Sequence, residues 1–163
     1  QTENDSKEQK AKTAISKEKL ENITNKVFSS VTSDLMNSDE LPQTSSSFEL
    51  SCQAFKKDVG KLYFYIKRIP LDHLKKLYQK AELNPELLIN IVKSIQDSGM
   101  KDNGGFCLEL LDALAQTNRF NLCVKQTTKG EKKLLKEVIE TLGKDTNQND
   151  IAQDILEKYN CKS

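Results

Sequence analysis

Four stretches of this chain share one apolar rhythm, i, i+4, i+5, i+8. They are Leu87, Ile91, Val92 and Ile95; Phe106, Leu110, Leu111 and Leu114; Leu134, Val138, Ile139 and Leu142; and Ile151, Ile155, Leu156 and Tyr159. Each set falls on one side of an α-helix. The stripe is wide enough to bury against two neighbours, which suits a globular bundle better than a two-stranded coiled coil. No segment alternates as a strand would. The expected fold class is all-α, a compact bundle or short superhelix of about seven or eight short helices. No fixed sequence period supports a true solenoid array.

The helices are expected to follow one another from Ser47, which can cap the first of them, over about Ser47 to Lys57. A second covers about Val59 to Ile69, and Pro70 separates it from a short third with Leu71, Leu74 and Tyr78. Asn84 caps the fourth with Pro85 at its first position, where a missing N–H costs nothing. Gly99 is placed to end that helix in a left-handed turn. The fifth starts at Asp102-Asn103-Gly104-Gly105, and a short sixth runs from about Arg119 to Gln126. Thr128 and Glu131 form a capping box for the seventh, which Gly143 is expected to end. The last covers about Asp150 to Asn160.

The front of the chain is different. Of the ten aromatic residues only Phe28 precedes Phe48, and all six glycines follow it. The first residues are rich in Lys, Glu, Asn, Ser and Thr, which bury too little apolar surface to offset chain entropy. Residues 1–46 are therefore expected to be a mostly disordered polar linker, and residues 47–161 a helical adaptor domain. Within the linker, Leu20, Ile23, Val27, Val31 and Leu35 trace one helical face over 16–36. That face reads as a weak helix in a linker, an amphipathic helix induced by a partner, or an extra helix docked on the domain. The chain starts at Gln1 rather than Met and is read as a piece of a larger protein.

Little here resembles catalytic machinery. The net charge is +1 with acids and bases interspersed, so no basic stripe points to nucleic acid. Cys52, Cys107, Cys123 and Cys161 form no C-x-x-C pair, and His73 is the single histidine, which argues against zinc. Cys107 and Cys123 sit among apolar helical residues and read as small hydrophobes in a reducing, intracellular compartment. No apolar run approaches the roughly 20 residues of a membrane helix, and the polar start shows no signal peptide. Gly143-Lys144 fails as a phosphate loop, because Val138 and Asp145 stand where a glycine and a Ser or Thr are needed. No metal, cofactor or catalytic residue is expected.

Two stretches invite a binding reading. Tyr63-Phe64-Tyr65 cannot all face one side of a helix, so Phe64 or Tyr65 meets a second layer of core or a partner. Arg119-Phe120-Asn121-Leu122-Cys123-Val124 puts an arginine beside apolar anchors, a common interface composition, although core packing also explains it.

Four stretches, in order and at similar spacing, resemble one known module: Leu62 to Lys67, Asn84 to Val92, Arg119-Phe120, and Glu131-Lys132-Lys133. It is the C-terminal domain of RNA polymerase II-associated and sperm-associated antigen co-chaperones, also found in a coiled-coil protein of ciliary assembly. The resemblance implies a helical domain that docks on the ATPase face of RuvB-like AAA+ ATPases. Its parent proteins carry tetratricopeptide repeats that hold heat-shock chaperones, and they assemble large complexes in the cytoplasm, axonemal dynein arms among them. Carried over by position, Arg119 and Leu122 match ATPase contacts, and Phe120 matches an aromatic beside them. Gln126 stands where the polymerase-associated relative has a contacting phenylalanine, within the polar run Lys125-Gln126-Thr127. That departure favours a sperm-associated-type member and is expected to weaken the contact about tenfold to a hundredfold. The rival expectation is an independent client- or chaperone-binding domain that uses the 16–36 helix.

Overall fold

The computed structural model of the chain describes residues 34–36 and 40–161. The chain divides into two units, Gln1–Ser38 and Asp39–Ser163. In the first, residues 34–36 form one helical turn, and the expectations for 1–15 and for Leu20 to Val31 lie outside the described residues.

The second unit is a succession of helices, and no strand occurs among the described residues. They are α1 (Ser45–Ala54), α2 (Val59–Lys67), α3 (Leu71–Leu77) and α4 (Pro85–Ser94). From α4 the chain passes through a π-helical turn, Ile95–Gly99, into the single turn α5 (Met100–Asp102). Then come α6 (Gly104–Ala115), α7 (Phe120–Lys125), α8 (Lys129–Asp145) and α9 (Asn149–Lys158).

Side chains close to the breaks set most of the starts. The Asn84 carboxamide accepts from the Glu86 N–H at 2.9 Å, and the Asn103 carboxamide accepts from the Phe106 N–H at 3.0 Å. Thr128 and Glu131 form the expected reciprocal box. The first helix starts earlier than its sequence suggested. Thr44, not Ser47, is the cap: Thr44 is extended, its hydroxyl accepts from the Ser47 N–H, and the Ser47 hydroxyl accepts in return from the Thr44 N–H. Ser47 takes the third position of a capping box, where its hydroxyl does the work that a Glu or Gln side chain usually does.

Two glycines do something other than end helices. Gly99 has φ −66°, and the helix continues past it to Asp102. A Cβ there would lie 2.7 Å from Cys107 Sγ and 2.8 Å from the Tyr63 ring, so Gly99 lets α2 and α6 approach the π turn. Gly143 lies inside α8, and a Cβ on it would meet that of Ala152 at 2.5 Å. The left-handed residue that closes α8 is Asn147, with φ 55°. The Gln148 N–H donates to the Gly143 carbonyl and the Asn147 N–H to the Lys144 carbonyl, which is a Schellman closure.

The core forms around α4 and α6. In α4, Leu87, Leu88, Ile89, Ile91 and Val92 are all buried, because α2 packs on one side and α8 on another. The α6 helix is covered by α3, α8 and α9. Tyr65 is the second-layer member of the aromatic triplet. It lies 5.2 Å from Phe55 and 6.4 Å from Phe48 by ring centres, whereas Phe64 keeps 39% of its surface exposed. All four cysteines are free and buried. Burial pushes the Cys107 and Cys123 thiols up to about 11, so at neutral pH they are uncharged.

Candidate functional site

Helix α7 is short, six residues, and cannot hold itself in water. Its stability comes from what lies beneath it. Phe120, Cys123 and Val124, at i, i+3 and i+4, are all buried. Phe120 meets Tyr159 edge to face at 4.7 Å, and the buried Tyr159 hydroxyl donates to the Leu111 carbonyl at 2.6 Å. The end of α9 and the middle of α6 therefore form the seat on which α7 rests.

The segment before α7 is tied to the loop between α3 and α4. The Asn118 N–H donates to the Tyr78 carbonyl at 3.0 Å, and its carboxamide donates to the Lys80 carbonyl at 3.3 Å. The Arg119 guanidinium pairs with Glu82 at 3.1 Å. Arg119 itself has φ 53° and ψ 37°, a left-handed conformation that β-carbon sterics disfavour. The chain turns at this residue, so α7 leaves the Tyr78–Glu82 loop at a fixed angle.

With Phe120, Cys123 and Val124 turned inward, Leu122 lies on the outward face of α7, and the residues that cap its two ends, Arg119 and Gln126, are exposed beside it. The Arg119 side chain is 65% exposed even while paired with Glu82. Leu122 leaves 38% of its surface in water, and Gln126 is exposed. An exposed arginine thus caps the start of a helix seated on the core, three residues before an exposed leucine. Of the four residues singled out from sequence, three share this outward face. Phe120 does not: it is buried against Tyr159.

Glu82 belongs to this surface through its pair with Arg119, and no local sequence pattern marks it. It lies 37 residues before Arg119, and an isolated glutamate near a helix start carries no signal of a distant partner. His73, the single histidine, has Nε2 2.6 Å from the Pro42 carbonyl, so that nitrogen carries the proton and the ring staples the chain before α1 to α3. Gly104-Gly105 forms the first turn of α6 under the Asn103 cap. Among the described residues no group of His, Cys, Asp and Glu is arranged to hold a metal ion, and no helix is long and apolar enough to cross a membrane.

A family model described as the potential Monad-binding region of RPAP3 matches residues 41–132. The RNA polymerase II-associated protein 3 of Rattus norvegicus and that of Homo sapiens are each 26% identical to this chain over 120 residues, 73% of this chain. The chain spans only 18% of the length of these relatives. The solved NMR structure of the C-terminal domain of the human RPAP3 protein matches with a TM-score of 0.67 at 25% identity. That match covers 74% of this chain and 89% of the solved one.

Proposed function

This chain belongs to the family described as the potential Monad-binding region of RPAP3, and from that membership we propose that residues 40–161 are a non-enzymatic adaptor that docks a co-chaperone scaffold onto RuvB-like AAA+ ATPases. The contact is the outward face of α7, with Arg119 as the charged anchor, Leu122 as its apolar neighbour and Gln126 at the rim. The observation that carries this reading is that face: an exposed arginine and an exposed leucine one turn apart, with their helix fixed from beneath by Phe120. Rigid placement matters because an anchor ordered before binding loses less entropy on binding. The rest of the longer protein would hold heat-shock chaperones and act in the cytoplasm, with axonemal dynein arms among its clients. The polar run Lys125-Gln126-Thr127 supports a sperm-associated-type member with a weakened ATPase contact.

A second reading follows from the family description itself, which names Monad as the potential partner. Both readings make this a protein-interaction domain of an RPAP3-like scaffold, and one experiment separates them. The whole chain is immobilised and offered purified RuvB-like ATPase and purified Monad in separate arms. Arg119→Glu, which would also repel Glu82, is expected to weaken ATPase capture at least tenfold while circular dichroism stays unchanged. Capture of Monad alone would replace the ATPase reading with the second one. A third arm removes residues 1–39. The cut stops there because Thr44 caps α1 and Pro42 is bonded to His73. Little loss is expected; a large loss would favour the rival in which the 16–36 segment is the bait.

A further inference from the structure

Helices α6 and α9 each bury one face and leave the neighbouring face bare. In α6, Leu110, Leu111 and Leu114 point into the core; in α9, Ile155 and Leu156 do. The adjoining faces enclose an open groove of about 500 Å³, a volume in the range of ligand and peptide sites. Leu108, 1% exposed, is its floor, and Ile151 stands at its side with 47% of its surface in water. Gly105 lines the groove too, without a side chain.

The walls are acidic. Glu109 and Asp112 line the α6 side, and Asp150 and Asp154 line the α9 side. One cation, Lys158, faces these four carboxylates. Its ammonium bonds to Asp112 at 2.7 Å and Asp154 at 3.2 Å, joining the two walls at one end and raising the Lys158 pKa. The chain as a whole is nearly neutral, at +1, so this face departs from the average in sign as well as in density. The groove shares no residue with the outward face of α7. Its α9 half also lies beyond residue 132, where the family match ends.

We propose that this groove is a second docking surface, and that its occupant is an amphipathic helix of a partner protein with an aliphatic stripe flanked by Lys or Arg. The exposed Ile151 asks for the stripe. The walls ask for cations on both flanks, because a carboxylate-lined site repels an acidic peptide and draws in a basic one. Length fits too. From Asp150 to Lys158 the groove side runs about 12 Å at 1.5 Å per residue, or about two turns of an occupant helix. An apolar side chain of the occupant is enough to cover Ile151, and the stripe continues over the aliphatic stems of the wall residues.

The probe is a synthetic helical peptide with a leucine stripe and lysine flanks, with a control in which glutamates replace the lysines. The isotope-labelled whole chain is titrated with each. The lysine peptide is expected to shift amide resonances along α6 and α9, and its affinity should fall as salt is added. Ile151→Glu and Asp154→Lys alter exposed side chains and leave the core intact, so each should fold and weaken the peptide at least tenfold. The proposal fails if the lysine peptide causes no shifts at millimolar concentration, if the glutamate peptide binds equally well, or if the shifts fall on α7. It also fails if the chain sediments as a dimer that Ile151→Glu dissociates, because the occupant would then be a second copy.

Discussion

Arg119 combines a strained backbone with an exposed side chain, and two substitutions separate these properties. Arg119→Ala keeps the β-carbon in the left-handed region, where it costs about 1–2 kcal/mol, and gives up the Glu82 pair. Both partners are about half exposed or more, 65% and 48%, so that pair is worth no more than about 1 kcal/mol. Arg119→Gly gives up the same pair but relieves the β-carbon strain. Against this, glycine gains about 0.4–1 kcal/mol of freedom in the unfolded chain. The glycine variant should therefore lie within about 0.5 kcal/mol of wild type and above the alanine variant by about 0.5–1 kcal/mol. Urea denaturation of the whole chain, with a shared slope, measures both midpoints. Binding should behave differently. Both variants lack the guanidinium, so both should lose partner capture to the same extent. An alanine variant as stable as the glycine variant would refute the claim that a strained residue fixes the angle of α7.

Phe120→Ala removes a buried ring from its contact with Tyr159 and should cost about 3–5 kcal/mol, whereas Leu122→Ala, at a side chain with 38% of its surface in water, should cost less than about 1 kcal/mol. Chemical denaturation compares them, and equal losses would place the wrong residue inward. Gly143→Ala should destabilise the chain despite a gain of about 1 kcal/mol in helix propensity, because the new methyl meets Ala152. Adding Ala152→Gly should restore stability in a double-mutant cycle, and strict additivity would argue against the contact. Asp102 accepts hydrogen bonds from Lys67 and Tyr63, which hold its carboxyl below the ordinary 3.8. A lowered folded pKa stabilises above 3.8 and stops doing so as pH falls through the folded value. Melting curves should thus show Asp102→Asn costing stability near neutrality and progressively less in acid; a constant gap would exclude this ionisation as the cause.

The helices were legible because the forces that start and fill them act over three to five residues. Asn84 with Pro85, Asn103, and Thr128 with Glu131 each cap within one turn, and the repeated apolar stripes name most of the buried positions, Ile151 at the start of α9 excepted, because no helix covers it there. The same locality misled wherever a residue answers to something distant. Gly99 and Gly143 look like helix ends in sequence, yet each is small because another helix comes too close for a β-carbon. The family resemblance in the sequence also selected Arg119, Leu122 and Gln126, which cap and line one outer face of α7. That this face points outward, while Phe120 is buried, depends on Tyr159, 39 residues away. The Glu82 pair spans a similar distance. The acidic groove is more remote still from the linear code, since α6 and α9 contribute ordinary solvent-facing positions that become a site only where the two helices pack. Spacing along one helix is local chemistry; which helix covers which face is decided by the packing of the whole domain.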